Sequence, residues 1–325
     1  MTLSTRSSLF IDKLSLTLAP PSHEHERIKL QLEALALNEE LERVDDHYSK
    51  LRKGYRHAYR LRVSENYYCV IQVHPYKRES RFMRIEWNPA RAPIGRPHPF
   101  QCIVGILSQC TTNMMALLAG ARITRIDLSF DLRRVAVSSF FIREATGRST
   151  SGHYKSLKEE FGADGRLNSR FIGKPDSGRY LLIYDKKQQL RDAQIRENTR
   201  SSVGRQGMSS KRIESHLTRV ELRLHDLNSI DALLNLENPY SRLTVSTLAG
   251  IEAVLPGHLG KFFVGACQWK GLQAVLSDIK NRRERKRYMD AIRESAPPSW
   301  WDSDAIWGEL PAAYYSALGI APPTA

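Results

Sequence analysis

Three runs of the chain alternate polar and apolar residues as β-strands do, and each places a basic residue, an apolar residue and an acid in that order. These runs are residues 83–87 (MRIEW), 124–128 (TRIDL) and 218–222 (TRVEL). Because the side chains of a strand alternate between two faces, the polar residues of the second run should share one face: Arg125, Asp127, Ser129 and Asp131. The third run aligns in the same way Arg219, Glu221, Arg223 and His225.

The rest of the pattern predicts strands separated by helices. Further strands are indicated at residues 9–18, 67–73, 82–87, 170–173 and 179–187. Helices are indicated at residues 24–44, 99–119, 138–145, 187–196 and 230–236, and from residue 260 onward. Alternating rather than continuous apolar runs favour an α+β fold with a largely antiparallel central sheet flanked by helices. We expect three segments: an N-terminal half at 1–121, a catalytic core at 122–240 and a helical, basic C-terminal segment at 241–325.

The charge of the chain indicates which class of partner it binds. The chain carries a formal net charge of +14, which favours a polyanionic partner, most simply nucleic acid. The basic residues cluster in three stretches, at residues 50–57, 191–212 and 280–287. In the last stretch we expect phosphate contacts from Arg282, Arg283, Arg285 and Lys286. A solvated helix face without a partner is the alternative for that stretch.

Cysteine spacing and hydropathy indicate in which cellular compartment the protein is expected. Cys69, Cys102, Cys110 and Cys267 lack the paired spacing of structural zinc sites or of a disulfide framework. We therefore expect reduced thiols. The N-terminus has no apolar signal core, and no run reaches the roughly 18 apolar residues that would span a bilayer. These features predict a soluble, intracellular protein.

The acids of the repeated runs suggest a cation site. Metal-assisted attack on a phosphodiester needs a hard cation, carboxylates that hold it and a nucleophile in line. Asp127 and Asp131 are too far apart to share one ion, since four residues of straight strand span roughly 13 Å. One of them should pair with Glu221, which has the equivalent place in its own run. We favour Asp127 and keep Asp131 as a candidate.

The run at residues 179–187 (RYLLIYDKK) offers a nucleophile. Tyr180 and Tyr184 share a face, but Tyr180 lies in an apolar stretch and is expected to pack in the sheet. Tyr184 lies where the strand becomes charged, and it is expected to reach solvent and DNA. A tyrosine with a pKa of about 10 needs activation, which Lys186 or Lys187 would provide by stabilising the phenolate or the scissile phosphate. A packed tyrosine is the alternative.

Taken in order, these residues resemble the three motif blocks of the Rep_trans group. The blocks are residues 125–131 (RIDLSFD), 171–174 (FIGK) with 180–186 (YLLIYDK), and 219–223 (RVELR). The group comprises rolling-circle replication initiators of small plasmids and filamentous phages, and some relaxases of integrative conjugative elements. The resemblance implies a fold related to the His-hydrophobe-His nickases but without the histidine pair. The turn at residues 174–177 (KPDS) departs from the group because it is less basic than expected.

The resemblance also implies chemistry and partners. It implies that Tyr184 becomes linked to the 5′-phosphate at a nick, with Lys186 beside it. The acidic positions are matched by Asp127, Asp131 and Glu221, for which Mg²⁺ or Mn²⁺ is the implied ion. Single- and double-stranded origin DNA is the expected partner, contacted through Arg125, Arg219, Arg223 and Lys187. A host helicase and polymerase, a homodimer and a bacterial cytoplasm complete this interpretation, without a membrane.

Two other functions fit the same residues. The first is a relaxase of an integrative conjugative element, which would use the same chemistry at a different origin. The second is a non-catalytic DNA-binding protein for replication or copy control, in which the acids merely pair with arginines. A binding protein should tolerate phenylalanine at Tyr184, so that substitution separates the second alternative from both enzymes.

Overall fold

The computed structural model of this chain describes residues 5–44, 54–93, 96–144, 157–162, 165, 167–175, 177–192, 216–255 and 257–321. The strands in this part are β1 Phe10–Leu18, β2 Glu42–Arg43, β3 Tyr55–Ser64, β4 Tyr67–Pro75, β5 Met83–Trp87, β6 Arg122–Arg133, β7 Phe140–Glu144, β8 Leu157–Phe161, β9 Leu167–Ile172, β10 Arg179–Asp185, β11 Leu217–Leu227 and β12 Leu243–Thr247. The helices are α1 His25–Leu37, α2 Pro99–Cys110, α3 Met114–Ala119, α4 Ile230–Leu234, α5 Leu248–Val254, α6 His258–Lys270, α7 Leu272–Asp278, α8 Arg282–Glu294, α9 Ser303–Gly308 and α10 Leu310–Leu318. Residues 186–192 are helical as well.

Ten strands form a sheet in the order β2-β3-β4-β5-β1-β6-β11-β10-β9-β8, and β12 pairs with β7. The pairs from β2 to β1 and from β10 to β8 are antiparallel. Strands β6 and β11 also run in opposite directions, because Asp131 pairs with Arg219 while Asp127, four residues earlier, pairs with Arg223, four residues later. The predicted α+β fold with a large antiparallel sheet and flanking helices is confirmed. No helix of the described residues has the length and hydropathy needed to cross a membrane.

The chain forms two compact units. The first unit contains Met1–Ser8, Ser129–Leu222 and Asn238–Gly308. The second unit contains Leu9–Leu128, Arg223–Glu237 and Glu309–Ala325. Strands β6 and β11 therefore each contribute residues to both units. The predicted segments at 1–121, 122–240 and 241–325 stay a prediction.

In the second unit, β5 alternates buried and half-buried residues, whereas residues 14–18 of β1 are all buried. Trp87, the last residue of β5, is fully buried, and its ring stacks on Phe100 of α2 with 5.2 Å between ring centroids. The Trp87 indole Nε1 donates a hydrogen bond to the carbonyl oxygen of Ala317 in α10, at 3.2 Å. Helices α2 and α10 therefore cover the apolar side of this part of the sheet, while polar residues of β1 and β5 occupy its other side.

In the first unit, the core lies between β7 and the C-terminal helices. Apolar residues of β7, α5, α6 and α8 form one buried cluster, in which the ring of Phe263 stacks on that of Tyr288 at 4.4 Å. The cluster also covers a buried cation, Arg170 of β9. Its guanidinium donates to Glu159 of β8 at 2.8 Å and to the carbonyl oxygens of Val137 and Phe140. A buried charge requires such partners.

A glycine makes room for this ion pair. Gly271 joins α6 to α7 with φ at +80°, a left-handed conformation that favours glycine. A Cβ atom at this position would lie 2.0 Å from Oε2 of Glu159, the carboxylate that binds Arg170.

Two predicted helices are wrong in their extent. The helix predicted at 24–44 ends at Leu37, because Asn38 caps it and Glu39 takes a positive φ of 64° before the short strand β2. The helix predicted at 99–119 is interrupted at residues 111–113, where the hydroxyls of Thr111 and Thr112 donate to the buried carboxylate of Glu24. That contact with a distant residue offsets the helical preference of the sequence around it.

One predicted helix is a strand, and four further strands were not predicted. Of the helix predicted at 138–145, residues 138–144 complete a short 3₁₀ turn and form β7, which pairs with β12 about 100 residues later. Phe140, Phe141 and Ile142 are all buried, and three buried residues in succession lack the alternation that marks a strand. Strands β2, β3, β8 and β12 were also missed. The basic stretches at 50–53 and 193–212 lie outside the described residues.

Candidate functional site

Tyr184 and Glu221 form the central contact of the polar sheet face in the first unit. Tyr184 lies on β10, opposite Ser169 of β9, and Glu221 lies on β11. The phenol Oη donates a hydrogen bond to Oε2 of Glu221 at 3.2 Å. Both side chains are buried, with 9% and 5% of their surfaces exposed. The strand pattern that aligned these residues on polar faces therefore brings a phenol and a carboxylate into direct contact.

Lys186 provides a cation beside this pair. Its ammonium lies 5.7 Å from the centroid of the Tyr184 ring and donates a hydrogen bond to Oε1 of Gln189 at 2.7 Å. The side chain is buried, which strengthens its electrostatic effect on neighbouring groups. Gln189 was not predicted, although its position three residues after Lys186 at the start of a helix is a signal that sequence reasoning could use.

The expected exposure of Tyr184 is wrong. Tyr184 was expected to reach solvent and Tyr180 to pack in the sheet, but both are buried. The ring of Tyr180 stacks on Phe171 of β9, with 6.2 Å between centroids. The difference between the two tyrosines therefore lies in their neighbours, because Tyr180 packs on an aromatic ring whereas Tyr184 binds a carboxylate and lies beside an ammonium.

Asp131 and Arg219 form a second polar pair in the first unit. Nε and Nη2 of Arg219 donate to Oδ1 and Oδ2 of Asp131 at 2.7 and 3.0 Å. This bidentate geometry is the strong form of an arginine–carboxylate contact. The hydroxyl of Ser129, on the same face of β6, is buried and has no hydrogen-bond partner in the described part of the chain. The Ser129 hydroxyl oxygen is therefore one potential ligand on this face.

Asp127 belongs to an ion-pair cluster in the second unit. Arg125 donates to both of its carboxylate oxygens, at 2.8 and 2.5 Å, and Nε of Arg223 donates to Oδ1 at 3.2 Å. The carboxylate is almost fully buried. His225 lies at the same end of β11, with Nδ1 3.3 Å from the carbonyl oxygen of Thr124. Burial lowers the pKa of His225 below its usual value, against the opposing effect of that carbonyl.

The acidic side chains have the chemistry of metal ligands, but they are not arranged as a preformed metal site. Carboxylate and hydroxyl oxygens are the ligands that Mg²⁺ and Mn²⁺ prefer. The described residues contain no group of three histidine, cysteine or acidic side chains placed to hold an ion. Asp127 and Asp131 both bind guanidinium groups. A divalent ion would have to compete with those arginines for the same oxygens.

The basic helix α8 lies in the first unit, and its first turns are exposed to solvent. Asn281 caps the helix, accepting hydrogen bonds from the backbone N–H groups of Arg283 and Glu284. The predicted phosphate contacts are all exposed: Arg282, Arg283, Arg285 and Lys286. Cations at the N-terminus of a helix oppose its macrodipole, so this placement is unfavourable for the helix alone. Lys187 lies in the first turn of the helical residues after β10, where its N–H donates to Asp185.

No protein-family model matches the chain, and no curated protein matches it. A comparison with solved structures finds a rolling circle replication initiator protein from Geobacillus stearothermophilus. The likeness has a TM-score of 0.35 and 14% sequence identity, and it covers 70% of this chain and 77% of that one.

Proposed function

We propose that the protein is a site-specific DNA nickase and strand transferase that initiates rolling-circle replication through a phosphotyrosine intermediate. The observation that carries the proposal is the hydrogen bond from the Tyr184 phenol to Glu221, with the Lys186 ammonium beside the ring. A nucleophile, a base within hydrogen-bond reach and a neighbouring cation are the parts that covalent catalysis by a tyrosine requires.

In the proposed reaction, Oη of Tyr184 forms a bond to the scissile phosphorus, and the bond from phosphorus to the 3′-oxygen breaks. Glu221 Oε2 takes the phenol proton, and the departing 3′-oxygen takes up a proton to become a 3′-hydroxyl. Lys186 and Arg219 stabilise negative charge on the phosphoryl oxygens. Because Tyr184 is only 9% exposed, its neighbours must move before a phosphate reaches the phenol oxygen.

A divalent cation is part of the proposal, with Glu221 and one of the two aspartates, Asp127 or Asp131, as its candidate ligands. Bound Mg²⁺ or Mn²⁺ would supply positive charge that polarises the phosphoryl oxygens. The proposal extends to origin DNA, a host helicase and polymerase that extend the 3′-hydroxyl, and the cytoplasm of a bacterial host. A homodimer is also part of it.

The proposal is tested by measuring whether a covalent protein–DNA adduct forms. Supercoiled plasmids that together carry all the DNA of the element encoding the protein are incubated with it and Mg²⁺, then assayed for nicks and protein–DNA adducts. Tyr184→Phe should abolish both while leaving DNA binding near normal, because it removes one oxygen and no charge. Tyr180→Phe is the matched control and should keep both. An adduct that survives in Tyr184→Phe and disappears in Tyr180→Phe would assign the chemistry to the other tyrosine. The same assay in EDTA tests the metal, and nicking at full rate there would remove it from the proposal.

A non-catalytic DNA-binding protein is the second candidate, and the ion pairs favour it. Asp127 and Asp131 are each held by arginines, as expected if the acids only position basic side chains. Such a protein would form no adduct with any DNA, and Tyr184→Phe would leave its function unchanged. A relaxase would form the same adduct at the transfer origin of a conjugative element, so the position of the nick separates it from a replication initiator.

A further inference from the structure

The second unit contains an open groove with a volume of about 950 Å³. Its walls are residues of β1, β4 and β5, the start of β6 and the end of β11. Six cations line it: Lys13, Lys77, Arg81, Arg84, Arg122 and Arg125. Three acids, Glu79, Glu86 and Asp226, also line it, so the cations exceed the acids by 6 − 3 = 3. The groove is therefore basic as well as large.

Half of these cations form ion pairs with acids of the same unit. Lys13 and Arg84 both bind Glu86, at 2.5 and 2.7 Å, and Arg125 binds Asp127. The other three, Lys77, Arg81 and Arg122, have no ion pair with any residue that the structure describes. Lys77 and Arg122 are exposed to solvent. The positive charge that remains is thus concentrated at specific groups rather than spread along the wall.

Arg81 and Arg122 both line the groove, and their positive charges repel each other. Nη1 of Arg81 is fixed by hydrogen bonds to the carbonyl oxygens of Gly120, at 2.5 Å, and Thr17, at 3.3 Å. Burial and, to a lesser extent, the positive charge of Arg122 lower the pKa of Arg81 below its usual value. Two neighbouring guanidinium groups without an acid between them repel each other, and an anion bound between them would remove that repulsion.

The neutral part of the lining mixes polar and apolar side chains. Small-molecule sites are lined mainly by apolar and aromatic side chains. Here Thr17, Ser80 and Asn228 add hydroxyl and amide groups beside Val70, Ile123 and Leu227. The Tyr55 ring is buried and its hydroxyl is bound to the carbonyl oxygen of Arg81, so it provides no platform for stacked bases. Such a lining reads phosphate and sugar rather than base edges.

We propose that this groove binds the phosphodiester backbone of DNA, independently of its sequence, with Lys77, Arg81 and Arg122 as the contacting cations. The choice of DNA over another polyanion rests on the proposed function. The groove contains neither Tyr184 nor Glu221, so it contributes affinity and positioning rather than the transfer step. Free phosphate or a nucleotide presents the same chemistry and is an outcome of the test.

The test measures how the binding of duplex DNA without an origin depends on salt. The full chain is titrated at several KCl concentrations as wild type and as the double variant Lys77→Gln/Arg122→Gln. Each phosphate that the variant no longer neutralises should lower the log–log slope by about 0.9, so the double variant should show a slope lower by about 1.8. Both residues are exposed, so their replacement should preserve the fold. Arg81→Lys, which keeps the charge but removes the fork geometry, should weaken binding with a smaller change in slope.

The matched control is Arg60→Gln/Arg62→Gln, which removes the same charge from β3 of the same unit, where both side chains bind Glu42. Its slope should equal that of the wild type. The proposal would be overturned if the log–log slope decreased equally in both double variants, or if it did not decrease in Lys77→Gln/Arg122→Gln. The proposal would also be overturned if the groove variant lost the binding of inorganic phosphate or of a mononucleotide but kept the wild-type salt dependence of DNA binding. The adduct test relies on the Tyr184 and Tyr180 variants and this test on the salt dependence of DNA binding, so the two tests fail independently.

Discussion

Two regions of the molecule use the same short pattern of arginine, apolar residue and acid with different results. In the second unit, Arg84 binds Glu86 and Arg125 binds Asp127, each within its own strand, and a second cation also binds each acid. In the first unit, Arg219 makes two hydrogen bonds to Asp131 of the neighbouring strand, and Glu221 accepts a hydrogen bond from the phenol of Tyr184. The same pattern thus gives an acid between two cations in one region and an acid that contacts a tyrosine in the other. The partner across the sheet determines which result is obtained.

The largest effect should come from Glu221→Gln. This substitution keeps the shape of the side chain and its ability to accept a hydrogen bond from Tyr184, but it removes the base. We expect nicking and adduct formation to fall by about 10²- to 10⁴-fold, the usual decrease when a general base is removed. The measurement is the single-turnover rate of adduct formation on supercoiled DNA.

The control for this prediction is Glu86→Gln in the other region. Glu86 has the same place in its run and binds Lys13 and Arg84. Its replacement should leave the single-turnover rate within a small factor of the wild type. Equal decreases from the two substitutions would show that the contact with Tyr184 does not distinguish Glu221 from the other acids.

A smaller effect, on stability, should separate the two aspartates. Asp127→Asn should lower the free energy of unfolding by about 3–5 kcal/mol, because it leaves Arg125 and Arg223 facing each other around a buried site. Asp131→Asn should cost less, since the Asp131 side chain is 21% exposed against 3% for Asp127, and since one arginine rather than two loses its carboxylate. Urea denaturation of both variants gives the comparison. A larger decrease for Asp131→Asn would contradict it.

The smallest effect should come from the basic helix α8. Replacing Arg282, Arg283, Arg285 and Lys286 by alanine should flatten the salt dependence of DNA binding by about 0.9 in slope for each phosphate that is no longer neutralised. Nicking at saturating protein should persist, because these residues contribute affinity rather than chemistry. An unchanged slope would place the helix away from DNA and leave the groove at Lys77 and Arg122 as the main basic contact.

The sequence predicts the strands of the site well because their alternation is local. Strands β6, β10 and β11 were each predicted within a few residues of their observed limits. Strand β7 was missed because Phe140, Phe141 and Ile142 are buried in succession between layers of the first unit. The interruption between α2 and α3 depends on Glu24, which is 87 residues from Thr111. Contacts of that range leave no periodic signal in either partner.

The same limit applies to the site. The pattern placed Asp127, Asp131 and Glu221 on polar faces and selected Tyr184 over Tyr180. It did not predict which arginine binds which acid, because that depends on the register between β6 and β11. It also did not predict that the Tyr184 oxygen would be buried against Glu221. Local periodicity gives the face of a strand, whereas the partner on that face is a property of the assembled sheet.

The glycine between α6 and α7 restricts the sequence more than its place in a short connection between two helices suggests. A methyl group at Gly271 would collide with the carboxylate of Glu159. If that carboxylate were exposed and unpaired, it would simply rotate away. Here that carboxylate is the partner of a guanidinium that is 1% exposed, so its rotation would leave a buried positive charge without compensation. Alanine at Gly271 should therefore be about as harmful as removal of the Glu159 carboxylate itself, and a saturation-mutagenesis library screened for folded protein should retain only glycine there.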